Sequence, residues 1–409
     1  MKTVNLTINQ LLDQIAQFTD PETEGVTRLL YDEHWIEAQK FLLELGQMIG
    51  LDSGFDQVGN VILTKFGTAN DESAITIGSH IDSVVNAGKY DGIYGVATAI
   101  IAIKELLAEY GAPKKTIQIL SFCEEEGSRF PFTFTGSKNL INQLPDDIYQ
   151  LVDKTGESFE EAQAKAIYAL KNIFPLVSAL PPTAYAEIHI EQGPVLERLN
   201  KEIGIVTAIV AQKRFTVTIN GKNNHAGTTP MWLRVDPLKQ AVKLIHQLEV
   251  IALKIGEPFV FTVGEMAISP NASNVIPEQA KFSIDIRHTD EKELLFFEEL
   301  IYKLAKTQMQ ELAGLEIKID KWTDVGTEEM NETYIEALQA ICKEKQLSFH
   351  LMPSGAGHDT QIVNRIAPTA LLFVPSVDGI SHSPQEFTTT ENLEKGKTVF
   401  KQFIYDLAY

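Results

Sequence analysis

Short apolar runs that each lead to a histidine or a carboxylate are the feature that most narrows what this chain can fold into. Ala74-Ile75-Thr76-Ile77 leads into Gly78-Ser79-His80-Ile81-Asp82, and Thr116-Ile117-Gln118-Ile119-Leu120 leads toward Cys123-Glu124-Glu125-Glu126-Gly127. A third run, Ala184 to Ile190, contains His189, and a fourth, Ala370 to Val374, precedes Gly379-Ile380-Ser381-His382-Ser383-Pro384. Val61-Ile62-Leu63 is a further short apolar run, without such a residue after it. Read as strands, they alternate with helical stretches. Trp35 to Ile49 carries apolar residues at helical spacing, and Tyr94 to Tyr110 is apolar nearly all round, as a buried helix would be. Such alternation predicts an α/β domain with a mostly parallel sheet. Sites in open α/β sheets form at the carboxyl ends of strands, so one sheet edge can gather all of these groups.

The middle of the chain follows a different pattern. Arg214 to Ile219 alternates strictly between polar and apolar residues, as a half-exposed strand does. A helix is expected from about Asp236 to Leu253, strands at Phe259 to Val263 and Phe282 to Ile286, a helix from Glu291 to Leu312 and a last strand at Leu315 to Ile319. The order β-α-β-β-α-β is the ferredoxin-like pattern. We therefore expect an inserted α+β domain over 212–324, with the α/β domain formed by 1–211 and 325–409. Leu144 to Pro182, rich in Asp, Glu and Lys around a helical Phe159–Ile173 segment, reads as a surface excursion.

Composition excludes several function classes. A chain of 409 residues is too long for one ordinary core, and 44% apolar with 22% charged residues is ordinary globular usage. A net charge of −20 repels phosphate backbones and acidic membranes, so neither nucleic acid nor membrane is an expected partner. An anionic substrate would need local positive charge, which metal ions and a few placed arginines can supply. Two cysteines, Cys123 and Cys342, allow at most one disulfide and no Cys-x-x-Cys pair. The segment Met1-Lys2-Thr3-Val4-Asn5-Leu6-Thr7 lacks the features of a signal peptide, and no apolar run approaches the ~20 residues of a membrane span. Cytoplasm is the expected compartment.

His80-x-Asp82 suits a metal-bound imidazole with a carboxylate behind it that fixes its tautomer. Asp91, in Gly88-Lys89-Tyr90-Asp91-Gly92, would by itself read as a helix cap; with His80 close upstream it reads as a carboxylate able to bridge two ions. Three successive glutamates after a strand usually make a solvated loop. Here, however, adjacent glutamates point in different directions, so one can ligate a metal while its neighbour reaches the attacking water. His34, His246, His288 and His350 lie in helical or ordinary contexts and read as structural. His225 stands in a turn-rich stretch, Asn223 to Met231, where structural and functional readings are balanced. Gly355-Ala356-Gly357-His358-Asp359 is a flexible loop where backbone can approach a ligand closely.

Taken in order, His80-Ile81-Asp82, Asp91-Gly92, Glu124 to Phe130, His189 to Gly193, His225 to Pro230 and Gly355 to Asp359 resemble the hydantoinase/carbamoylase branch of the aminoacylase–carboxypeptidase metallohydrolases. That branch includes N-carbamoyl-L-amino acid hydrolases, allantoate amidohydrolases and β-ureidopropionases, and the resemblance covers nearly the whole chain. It implies two divalent metal ions per subunit, zinc or manganese, with cobalt or nickel also suited to these ligands. His80, Asp91 and His189 would hold one ion; Asp91, Glu126 and His382 would hold the other, with Asp91 bridging and Glu125 as the general base. Gln192, His225, Asn274, Arg287 and Gly357 would bind substrate. The inserted domain would serve as the dimerisation (lid) domain of a homodimer in which His225 reaches the partner's site. His189 separates this branch from related peptidases, which usually carry a carboxylate there, and so argues against a dipeptidase or aminoacylase. The implied reaction is hydrolysis of an N-carbamoyl-L-amino acid, or of allantoate as the alternative. Lys213, Glu278 and Thr360 depart from the residues common in the family (arginine, glycine and alanine).

Overall fold

The structure, a computed structural model, describes residues 6–69 and 72–409. The expectation about a leader segment thus falls partly on residues 1–5, outside the described residues. The chain divides into two compact units, Met1–Thr207 with Met330–Tyr409, and Ala208–Glu329. The second unit starts before residue 212 and ends after 324, because Ala208 and Ile209 pair with Glu329 and Glu328.

In the first unit a sheet runs in the order Asp52–Phe55, Val61–Lys65, Ile117–Phe122, Ala74–His80, Pro182–Ile190, Thr369–Val374, Ile203–Ile209. The central four strands are parallel, and the flanking pairs are antiparallel. The central strands are almost continuously buried, which is why they read as unbroken apolar runs rather than alternating ones. The helix Ile93–Tyr110 packs on this sheet and is itself covered by Ile8–Ala16 and Thr390–Ala408. In the same core, Glu33–Met48 is started by Asp32, whose side chain accepts the Trp35 N–H at 2.6 Å. Among the described residues no helix is long and apolar enough to cross a membrane. Both cysteines are free and buried.

The segment 144–182 is not merely a surface excursion. Its helix Phe159–Lys171 buries Phe159, Ala162, Ala166 and Leu170 in the main core, and the Phe159 ring lies edge-on to Tyr31 and Phe130 at 5.4 and 5.2 Å. The spacing of those four residues is that of one helix face, and the charged residues between them mask it in the sequence.

The second unit has the strand and helix order β-α-β-β-α-β. Its antiparallel sheet runs Met266–Ser269, Gln279–His288, Ala211–Asn220, Glu316–Val325, and Val260–Thr262 also pairs with Gln279–His288. The outer strand is therefore split in two. One face packs Phe215, Val217, Ile284 and Ile286 against the helices Pro237–Ile255 and Glu291–Glu311. The other face carries Gln212, Arg214, Asp285 and Arg287.

Candidate active site

Parallel strands carry their carboxyl ends to the same side, and the sequence places a candidate ligand just there. His80 ends Ala74–His80, His189 is the penultimate residue of Pro182–Ile190, Glu125 and Glu126 follow Ile117–Phe122, and His382 follows Thr369–Val374. Asp91 lies in the turn before the helix Ile93–Tyr110 and is the hub. Its Oδ1 is 3.5 Å from His80 Nε2 and 3.1 Å from His189 Nε2; its Oδ2 is 3.3 Å from His382 Nε2. His382 Nε2 is also 3.1 Å from Glu126. Only glycine fits after Asp91: Gly92 has φ 65°, and a Cβ there would lie 2.5 Å from the His80 ring.

The outward nitrogens are organised too. His189 Nδ1 is 2.8 Å from the Ile190 carbonyl and His80 Nδ1 is 3.1 Å from the Asp82 carbonyl, contacts that put one ring proton on Nδ1 and turn Nε2 toward Asp91, where it carries a proton only while the ring is charged. The Asp82 carboxylate is 3.6 Å from His80 Nδ1 and also accepts the backbone N–H groups of Glu125 and Glu126, at 3.3 and 3.1 Å. One carboxylate thus aligns the first histidine with the glutamate loop.

The three glutamates divide their work. Glu124 is buried at φ 53°, and its carboxylate accepts Ser128 Oγ and the Arg129 N–H, folding the loop back on itself. Glu126 faces His382. Glu125 is buried beside His80 and Glu126, and its carboxyl is pushed well above the usual range by burial and by the charges of Glu126, Asp359 and Asp82, against the pull of His80. A loop-stapling role for Glu124 had no distinguishing signal in the sequence.

Whether these residues suit metal ions can be judged from their spacing. Ligand atoms of His80, Asp91 and His189 lie within 4.8 Å of one another, as do those of Asp91, Glu126 and His382, and of His80, Glu125 and Glu126. Bonds of 2.0–2.2 Å in a tetrahedral site put neighbouring donors about 3.4 Å apart. The four contacts of 3.1–3.5 Å around Asp91 and His382 match that edge. The charges match as well. Burial alone would raise the Asp91 carboxyl, but hydrogen bonds from His189, His382 and His80 hold it well below the usual range. Hydrogen bonds to Asp91 and Glu126 raise His382 to about 10. The site calls for positive charge, and these donors fit divalent cations.

An imidazole must shed its proton to ligate a cation, so metal binding here releases protons and weakens as pH falls. After removal of metal with a chelator, the apparent affinity for Zn²⁺ is expected to rise steadily between pH 6 and pH 8. An affinity independent of pH over that interval would contradict ligation by His382.

The substrate candidates fall into separate groups. Gln192, at φ 57°, donates from Nε2 to Asp91 Oδ2 at 2.7 Å, inside the cluster. Beside half-buried Gly357, the buried His358 ring lies edge-on to His189 at 4.6 Å, and burial holds it well below its usual pKa. In the second unit the short strand Asn224–His225 pairs with Val275–Ile276, which puts His225 next to Asn274: the Ala226 N–H donates to the Asn274 carbonyl at 3.0 Å. His225 is exposed, and its Nδ1 accepts from the N–H groups of Gly227 and Thr228 at 3.0 and 3.3 Å. The proton is therefore on Nε2, making His225 an outward hydrogen-bond donor. Arg287 is elsewhere. Its guanidinium forks onto Asp285 at 3.0 and 2.9 Å, and Arg214 and Gln212 reach the same carboxylate. That His225–Asn274 ribbon continues from the Asn220/Gln279 end of the main ladder, through the Gly221 to Glu278 bond. Eight residues of strand separate Gln279 from Arg287, about 27 Å at ~3.4 Å per residue. The structure does not bring Arg287 to His225 and Asn274 within one chain.

The three unusual residues have local partners. Lys213 is buried between Glu298 and Asp324 at 2.8 and 3.0 Å. Glu278 is exposed and accepts Ser269 Oγ at 3.2 Å. Thr360 donates its hydroxyl to buried Glu187 at 2.6 Å, and Glu187 also accepts Ser79 Oγ at 2.7 Å. Thr360 thereby ties the Gly355–Asp359 loop to the strands that carry His80 and His189.

A family model for peptidase family M20/M25/M40 matches residues 76–406. The allantoate amidohydrolase of Escherichia coli (strain K12) is 40% identical over 403 residues, 98% of this chain and 98% of that protein. The N-carbamoyl-L-amino-acid amidohydrolase of Pseudomonas sp. (strain NS671) is 34% identical over 415 residues, 99% of each. Among solved structures, an amidase of the hydantoinase/carbamoylase family from Burkholderia multivorans superposes with a TM-score of 0.91 at 29% identity, covering 98% of this chain and 97% of that one.

Proposed function

The chain belongs to peptidase family M20/M25/M40, among the amidases of the hydantoinase/carbamoylase group, and from that premise we propose that it hydrolyses the ureido carbon–nitrogen bond of an N-carbamoyl amino acid, a class that takes in both N-carbamoyl-L-amino acids and allantoate. It is a metal-dependent hydrolase of carbon–nitrogen bonds other than peptide bonds. The observation that carries the reading is the convergence of three imidazoles on Asp91, with Glu125 and Glu126 beside them. Two ions, zinc or manganese, would be held by His80, Asp91 and His189 and by Asp91, Glu126 and His382. When bound they polarise the ureido carbonyl and acidify water. Glu125 accepts the proton of the attacking water and returns it to the leaving nitrogen as the carbon–nitrogen bond breaks. The amino acid leaves, and the carbamate decomposes to ammonia and carbon dioxide. The Nε2–H of His225 is suited to stabilise the oxyanion, and Gln192 and Gly357 to line the substrate. The free, buried cysteines agree with a reducing cytoplasm.

Allantoate is itself an N-carbamoyl amino acid with a second ureido group. The higher identity to the allantoate amidohydrolase, 40% against 34%, favours it within the class. The deciding comparison is kcat/KM for allantoate and for a series of N-carbamoyl-L-amino acids. A preference for allantoate is expected; a stronger preference for an alkyl or aromatic side chain would reverse the order.

Arg287 and Asn274 are the candidates for the substrate carboxylate. If His225, Asn274 and Arg287 all contact one small substrate, the distance along the strand requires two copies of the chain, which supports a homodimer with His225 serving the partner's site. Co-expressing Glu125→Gln and His225→Ala chains tests this. Half of randomly paired dimers are mixed, and each mixed dimer has one intact site, so about a quarter of wild-type activity is expected although each variant alone is nearly inactive. No recovery would mean that His225 acts within its own chain.

Arg287→Lys replaces a planar fork by a point charge. The loss in kcat/KM should fall on substrates with a carboxylate, where a charge-assisted contact contributes about 1.5–3 kcal/mol, and spare the corresponding amides. Equal losses on acid and amide would reduce Arg287 to a structural partner of Asp285.

A further inference from the structure

We propose that Glu386 is a positioning residue that locks the turn carrying Asp91 to the loop carrying His382; the inference rests on the two-ion reading of the site. Glu386 is buried and touches both segments. Its Oε1 accepts the backbone N–H groups of Tyr90 and Asp91, at 3.0 and 3.1 Å. Its Oε2 lies 2.9 Å from Ser381 Oγ, which is 3.0 Å from Asp91 Oδ2. The single hydroxyl proton of Ser381 therefore lies between two carboxylates, one a candidate ligand and the other its support.

The fit leaves no slack. A Cβ on Gly88 would stand 2.3 Å from the Glu386 carboxylate, so glycine lets the turn close onto it. His382 has φ 53°, a conformation that side chains other than glycine adopt only when their surroundings hold them. The turn that follows is closed by the Glu386 N–H on the Ser383 carbonyl at 3.0 Å, and the Glu386 side chain anchors that turn to the Tyr90–Asp91 backbone. Buried backbone N–H groups need acceptors, and in the Tyr90–Asp91 turn one carboxylate oxygen serves two of them. Removing it frees the main chain of Asp91 and the approach of His382 together. The ion between Asp91, Glu126 and His382 should feel this most, because two of its three ligands depend on Glu386. The ion held by His189 and His80 keeps two ligands on strands.

The test is stepwise Zn²⁺ binding to chelator-treated protein, read by competition with a chromogenic chelator, with thermal melts of the metal-free forms. Wild type is expected to bind two ions. Glu386→Ala should bind one with near-normal affinity and the other about 10–100-fold more weakly, the usual consequence of deleting a group that orients a ligand. Glu386→Gln keeps an acceptor for the two N–H groups and a partner for Ser381, and should recover most of the loss. Ser381→Ala should weaken the same ion to a smaller extent, and it reports even if Glu386→Ala does not fold. If folded Glu386→Ala, or Ser381→Ala in its place, binds both ions as wild type does, the positioning role is wrong while the site reading stands. Uniform weakening of both ions, unrescued by glutamine, would also overturn it. A wild type that binds only one ion would overturn the two-ion reading and this inference with it.

Discussion

Turnover of the Glu125→Gln variant is expected to fall by about 10²–10⁴-fold, the usual contribution of a general base, while both metal ions remain bound. Glutamine has nearly the same shape but cannot accept the proton. The Glu125 backbone N–H still bonds to Asp82 Oδ1, so the loop keeps its course, and Glu126 still faces His382. Metal content of the dialysed variant and initial rates at saturating substrate separate the two effects. Near-normal turnover would remove Glu125 from the chemistry; lost metal would make it a ligand instead, for which its place in the His80–Glu125–Glu126 cluster is suited.

Asp91→Ala is expected to abolish activity by releasing both ions, because both oxygens of this buried carboxylate are engaged, Oδ1 toward His80 and His189 and Oδ2 toward His382. His80→Ala and His382→Ala should each weaken one position only. The measurement is metal per chain after dialysis, for all three variants in parallel. An Asp91 variant that retained two ions would show that the carboxylate does not bridge. The variant should still fold, since Asp91 is surrounded by polar partners rather than by the apolar core, and a thermal melt of the metal-free forms checks this.

The cluster around Asp91 was legible in the sequence for a physical reason. Buried parallel strands read as apolar runs, and their carboxyl ends share one side of the sheet, so a histidine or glutamate there is placed before any contact is known. The inserted β-α-β-β-α-β block was legible because its strands alternate. Other parts left weaker marks. Ile203–Ile209 and Phe349–Ser354 lie at the antiparallel edge of the first sheet, outside the alternation of strand and helix that marks the centre. The helix Phe159–Lys171 hid its buried face among charges. The supporting groups could not be singled out at all. Glu187, Ser381 and Glu386 are common polar residues whose roles arise from partners distant in sequence, as with Glu386 and the Asp91 backbone, and Glu124, though its partners Ser128 and Arg129 are near in sequence, is one of three like residues in a row. Register decided the separation of Arg287 from Asn274: they are close in sequence, but a long strand carries one away from the other.

The metal-loaded protein cleaves a ureido bond rather than a peptide bond. Ammonia release from allantoate and from N-carbamoyl-L-amino acids, measured beside cleavage of dipeptides and N-acetyl amino acids by the same preparation, tests it most directly. Ammonia and free amine are expected from the ureido substrates, dependent on added Zn²⁺ or Mn²⁺ after chelation, with little turnover of the others. Efficient cleavage of the dipeptides without ammonia from any ureido compound would contradict it.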